Sequence, residues 1–162
     1  MSDWGPAAVA AASAILLAIA GGLLTTTGPW YKSLRLPAWK PPDWAFGPVW
    51  STIFTLAAIS AVMAWNAAPS AEFRWTLIVA YAVNGALNVA WSGIFFRMRR
   101  PDWAFVEVLF LWLSILVLIV VTAQASGLAA LMLLPYLAWV SVATYLNLTI
   151  VRLNGPFRGS AA

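Results

Sequence analysis

The chain has 162 residues, 63% of them hydrophobic and 9% charged, with a mean hydropathy of +0.86. Soluble domains carry roughly 25% charged residues, so this composition excludes one and makes the bilayer the solvent. Cys and His are both absent, which removes disulfides, thiolate nucleophiles, Cys or His metal ligands, the usual haem axial ligands and the usual general base.

Five windows are long and apolar enough to span a membrane: Ala7 to Thr27, Trp44 to Trp65, Phe73 to Phe96, Trp103 to Ala123 and Leu128 to Ile150. The fold class predicted is an all-α membrane protein, a single five-helix domain over 1–162 with a C-terminal tail at 155–162. The first window is read as a span rather than a signal peptide. Its leader Met-Ser-Asp-Trp-Gly-Pro has an acid and no base, and the run is long for an h-region. Its Ala10, Ala14, Ala18 and Gly22 form a smooth strip suited to helix packing.

Between the first two windows lies a loop of unusual content. Residues 28–50 hold Trp30, Trp39, Trp44 and Trp50 together with Pro29, Pro37, Pro41, Pro42 and Pro48. Rigid aromatic surface of this kind suits a lid or a recognition surface.

In the third window Ala82, Ala86 and Ala90 recur every four residues, a strip for close contact either within the chain or in a dimer. Asn84, Asn88, Trp91 and Phe95 fall about 170° away at 100° per residue. Two amides there either glue helices together or line a cavity. Trp103, Glu107, Phe110 and Ser114 share a face of the fourth window. Glu107 lies little more than a turn inside, which favours pairing with Arg97, Arg99 or Arg100 over a functional proton or ligand group. The fifth window aligns Tyr136, Trp139, Ala143, Asn147 and Asn154, a wall for a flat apolar ligand or a packing face with satisfied amides. Pro135 should kink or break its first turns.

Charge sets the orientation. Lys32, Arg35, Lys40, Arg97, Arg99, Arg100, Arg152 and Arg158 fall on one side of five spans, and only Arg74 on the other. The positive-inside rule then puts the N-terminus out, the C-terminus in and the aromatic loop on the cytoplasmic face. The net charge of +4 is thereby a topology signal, and no nucleic-acid partner is expected. Trp30, Trp39, Trp44, Trp65, Trp75 and Trp103 sit near span ends, as an aromatic belt would; Trp91, Trp112 and Trp139 lie inside spans and need another explanation. No phosphate loop, nucleophile elbow or paired carboxylate appears, which argues against hydrolase, kinase and metalloenzyme chemistry.

The runs Trp30-Tyr31, Leu34, Pro37, Trp39, Pro41-Pro42, Trp44 and Phe46-Gly47-Pro48-Val49-Trp50 resemble the first loop of the tryptophan-rich sensory protein and translocator protein family, also called peripheral benzodiazepine receptors. Asn88, Trp91-Ser92 and Phe95-Phe96, then Leu111-Trp112 after Glu107, then Pro135-Tyr136-Leu137, Trp139, Ala143 and Asn147 extend the resemblance from about residue 20 to 154. It implies a bacterial member of a family of five-helix bundles, often homodimeric, that bind porphyrins such as protoporphyrin IX and haem as ligands, with no cofactor required. Animal relatives are also associated with cholesterol and synthetic drugs, and bacterial ones with tetrapyrrole and stress responses.

By that resemblance Trp50 and Trp139 are pocket walls and Ala143 the small residue one turn on; the loop and the helix faces add Trp30, Tyr31, Trp39, Phe54, Asn84, Asn88, Trp91, Phe95, Tyr136 and Asn147 to the candidate ligand site. Phe54 stands where relatives often carry Tyr, without its hydroxyl. Tyr145 and Arg152 are six residues apart, outside the short sterol motif. The expectation is a porphyrin receptor or sensor in the bacterial cell membrane, with Lys32, Arg35 or Lys40 meeting the propionates. Light-dependent porphyrin breakdown, with Trp50 and Trp139 as participants, and transport of porphyrins or sterols are the alternatives.

Overall fold

The computed structural model describes residues 4–157; Arg158, counted above among the cytoplasmic bases, and the rest of the tail lie outside them. Five helical stretches are long and apolar enough to cross a membrane: Gly5–Leu24, Asp43–Asn66, Ala71–Arg97, Pro101–Ala125 and Gly127–Asn154. In chain order the elements are α1 (Gly5–Leu24), a short α2 in the loop (Pro29–Ser33), α3 (Asp43–Asn66), α4 (Ala71–Ser92) continued by a π-helical turn (Gly93–Arg97), α5 (Pro101–Ala125), a short α6 (Gly127–Leu131) and α7 (Leu134–Asn154). Among the described residues there is no strand.

Local chemistry sets the boundaries. Pro residues open α1, α2, α5 and α7 at positions where the missing N–H costs nothing. Ser70 caps α4 by accepting from Phe73 N at 3.1 Å, and Ser126 caps α6 by accepting from Ala129 N at 3.2 Å. The fifth span breaks at Met132–Leu133, just before Pro135, as its proline predicted. That break frees the Ala129 carbonyl, because Leu133 N turns to Ala130 O instead. Ser60 Oγ on α3 fills the vacancy at 2.7 Å and shares its hydroxyl with Tyr81 OH of α4 at 2.8 Å. In lipid such a compensation is needed, since no water can take the carbonyl.

The centre of the bundle is α5. Ala104, Val108, Leu111, Ile115, Leu118 and Thr122 are all buried, spaced by three or four so that one stripe faces inward. It packs mainly on α4 and α7, while α1 packs on α3 and less closely on α4. Leu17 of α1 lies over Gly85 of α4, where an added Cβ would come within 3.2 Å of it. No residue of α1 is buried. Its Ala10 and Ala14 edge a groove of about 460 Å³ against Thr55, Ala58 and Val62 of α3, whereas Ala18 and Gly22 are exposed.

The two amides of α4 act as glue. Asn84 Nδ2 donates to Ser114 Oγ of α5, and Asn88 Nδ2 to Tyr136 OH of α7, both at 2.9 Å. Opposite them, Ala82 and Ala86 are exposed and only Ala90 is half-buried, so this strip is not an internal packing face along most of its length. One expectation fails outright. Glu107 pairs with none of Arg97, Arg99 or Arg100: Arg100 holds Asp102 at 2.9 and 2.6 Å, Arg97 donates to Leu23 O at 2.7 Å, and neither oxygen of Glu107, both buried, has a partner. For Arg100 the reason is proximity along the chain, since Asp102 sits two residues away and holds its guanidinium, and Arg97 is turned toward the end of α1.

Candidate ligand cavity

The cavity forms where α7, the end of α4 and the start of α3 meet under the loop. Its walls are Trp139, Val142, Ala143, Leu146, Asn147 and Ile150 of α7, Trp91 of α4, Phe95 and Phe96 of the π turn, Phe46 of α3, and Tyr31 and Pro41 from the loop. The π turn explains two adjacent inward phenylalanines. In a regular helix neighbours point 100° apart, and the wider turn brings Phe95 and Phe96 both into the core. Arg99, in the left-handed region at φ 54°, then ends the turn.

Ring contacts fill most of the space. Trp91 lies tilted on Phe95 at 5.2 Å, Phe95 on Phe96 at 4.8 Å, and Phe46 meets Trp139 edge-on at 5.5 Å. Only about 40 Å³ remains free, against roughly 300–1,000 Å³ for sites that hold a drug-sized ligand. The structure is thus a closed state, filled by its own aromatics.

Polar groups around it are few and mostly engaged. Trp91 Nε1 donates to Asn147 Oδ1 at 3.0 Å, and Asn147 Nδ2 donates to Pro101 O at 2.8 Å. This joins α4, α5 and α7 behind the wall, and gives an intramembrane Trp its reason. Trp112 has a similar one, donating to Ser141 Oγ at 2.8 Å.

The loop is tied down rather than loose. Asn154 Oδ1 accepts from Arg35 N at 2.7 Å, and Asn154 Nδ2 donates to Arg35 O at 2.9 Å. Trp39 stacks on Tyr145 of α7 at 5.1 Å, Trp30 meets Phe95 edge-on at 6.1 Å, and Tyr31 tilts against Phe96 at 5.7 Å. Burial raises the Tyr31 phenol above its ordinary range, with nearby Lys40 opposing the shift. Lys40 is bound to Asp43 at 2.5 Å, leaving Lys32 and Arg35, among the described residues, as exposed loop cations outside any ion pair.

Of the residues singled out in the sequence, Tyr31, Trp91, Phe95, Trp139, Ala143 and Asn147 are brought together on the cavity wall. Trp30 and Trp39 support the loop from outside. Trp50 stacks on Phe54 at 5.4 Å and meets Tyr136 edge-on at 6.1 Å, one turn deeper than Phe46 and Trp139 and outside the lining. Asn84 and Asn88 are deeper still, committed to Ser114 and Tyr136. Val142, Leu146 and Ile150 complete the wall without standing out in the sequence. Their four-residue spacing beside Trp139, Ala143 and Asn147 was the available signal.

The TspO/MBR family model matches residues 8–153, nearly the whole five-span body just described. The chain belongs to this family. Protein CrtK of Rhodobacter capsulatus is 37% identical over 83% of this chain and 84% of its own length. The human translocator protein is 37% identical over 80% of this chain and 78% of its own, and the tryptophan-rich sensory protein of Cereibacter sphaeroides 31% over 82% of each. As a TspO/MBR protein with five apolar spanning helices, the chain is an integral, multi-pass membrane protein.

Proposed function

We propose that this protein is a membrane receptor or sensor for porphyrins, with protoporphyrin IX or haem held in the cavity under the aromatic loop. The observation that carries the reading is the wall itself: Trp91, Phe95, Phe96, Phe46 and Trp139 surround one space, with Ala143 leaving room beside Trp139. Flat rings facing an apolar gap suit a flat apolar ligand, which would displace ring–ring contacts with ring–ligand contacts of the same kind. Binding requires opening, given the 40 Å³ now free. Lys32 and Arg35 are the loop cations at hand for the propionates, whereas Lys40 is occupied by Asp43.

On the charge pattern, we place the loop and the C-terminus on the cytoplasmic side of a bacterial cell membrane. Exposed Ala82 and Ala86 beside exposed Val79 and Val83 on α4 support a homodimer through that face. Light-dependent breakdown of the bound porphyrin is supported by Trp139 alone of the two indoles considered for it, since Trp50 is outside the lining. The deciding experiment is tryptophan-fluorescence quenching by protoporphyrin IX in liposomes, with Trp139→Ala as the comparison. Saturable quenching weakened about tenfold or more in the variant supports the site; unchanged affinity removes Trp139, and with it this cavity, from the binding site.

A further inference from the structure

We infer that the cavity takes its ligand from the hydrocarbon of the bilayer, sideways through the seam between α3 and α7, rather than from water by lifting the loop. This inference rests on the ligand-cavity reading above. The two ways out are closed by different kinds of contact.

The way over the top is fastened by directional bonds. Asn154 both accepts from and donates to the Arg35 backbone, at 2.7 and 2.9 Å, and it also donates to Ile150 O at 2.9 Å on its own helix. Lifting the loop would break the paired bonds and pull the buried Tyr31 away from Phe96. The paired bonds lie at an exposed edge, where water can replace them, so the main resistance is the Tyr31 ring, which would leave its buried place against Phe96.

The way through the side is closed by rings alone. Helices α3 and α7 are not among the closely packed helix pairs, and among the described residues no hydrogen bond crosses between them. The seam is spanned by the edge-on pair Phe46–Trp139 at 5.5 Å and, one turn deeper, Trp50–Tyr136 at 6.1 Å, with the Trp39–Tyr145 stack lying outside. It also reaches the surface. Val142 lines the cavity yet is 41% exposed, and the covering rings of Trp39 and Tyr145 are 45% and 59% exposed. On a spanning helix this exposure is to lipid, whose chains replace lost ring contacts at small cost because they are as apolar as the core. Rotamer changes of Trp39, Tyr145 and Trp139 open the outer part of the seam, while the deeper Tyr136 keeps its bond to Asn88, and such changes are fast compared with loop detachment.

The test uses the absence of native cysteine. Ala143→Cys puts one thiol on the cavity wall, and its labelling in liposomes is timed with a lipid-dissolved alkyl maleimide and with a charged, water-confined thiol reagent. Two second-site changes separate the routes: Tyr145→Ala uncovers the seam, and Asn154→Ala releases the top. The expected result is faster labelling by the lipid-dissolved reagent, accelerated about fivefold by Tyr145→Ala and changed less than about twofold by Asn154→Ala. The association rate of protoporphyrin IX with the same two single variants should show the same order. Acceleration by Asn154→Ala but not Tyr145→Ala, or no effect of either, overturns the inference. If protoporphyrin IX fails to bind at all, the porphyrin reading falls, and the thiol rates still decide the route.

Discussion

Glu107 places an ionisable side chain inside a spanning helix with both oxygens buried and unpartnered. An orphaned buried polar group costs about 1–3 kcal/mol, and more when charged. Glu107→Leu should therefore stabilise the protein by about that much, read as a raised midpoint of thermal unfolding in detergent. A lowered midpoint would mean that the carboxyl has a partner in the membrane. Asn147 is the opposite case. It accepts from Trp91 and donates to Pro101 O, so Asn147→Leu strands two groups and should destabilise by about 2–4 kcal/mol, while weakening porphyrin binding through a displaced Trp91. The position of Asn147 on the Tyr136–Trp139–Ala143 stripe was legible from spacing. Its two partners were not, because both come from other helices, and sequence periodicity reports which face a residue is on without saying what meets it. Glu107 failed for the same reason: a count of nearby arginines took no account of Asp102 competing for Arg100.

At the scale of elements, the bundle was legible because length and hydropathy are one-dimensional properties and five spans can be read from them. The Pro135 break was legible too, since a missing N–H acts locally. The π turn was hidden, for Gly93–Arg97 reads as ordinary helix, and only the inward placement of both Phe95 and Phe96 betrays the extra residue. Deleting one residue from this turn should restore regular α-helix and rotate the chain beyond it by about 100° with a shift of about 1.5 Å. Phe96 and the Arg97–Arg100 connection would then lose register with the loop. The expected outcome is a folded protein that no longer quenches with protoporphyrin IX; retained affinity would show that the π turn does not shape the site. The short α2 was equally invisible, five residues started by Pro29 and held by the burial of Tyr31.

For the whole molecule, the distribution of free space separates the two ends of the bundle. The aromatic half is closed to about 40 Å³, while the groove beside α1 leaves about 460 Å³ in the other half. The closed half has neither His nor Cys to coordinate iron. Affinity should therefore come from ring contacts that metal-free and iron porphyrins share, and protoporphyrin IX should bind within about tenfold of haem. A titration in which haem binds about a hundredfold tighter would point to an axial ligand other than His or Cys, for which the Tyr31 phenol on the cavity wall is the group at hand.

The break in the fifth span reaches further than its own helix. Ser60 serves the Ala129 carbonyl only because Leu133 N has turned away from it ahead of Pro135, so two positions far apart in the chain are tied in their tolerance of change. Ser60→Ala alone leaves a carbonyl unanswered in hydrocarbon. Combined with Pro135→Ala, which lets α6 and α7 join and Leu133 N return to Ala129 O, the same serine loses its task. A double-mutant cycle on unfolding free energy should show a smaller Ser60→Ala penalty in the Pro135→Ala background, by about 1 kcal/mol or more, and additivity would mean that the helix stays broken without its proline. Among relatives this is a source of epistasis: a serine here and a proline there ought to be gained and lost together.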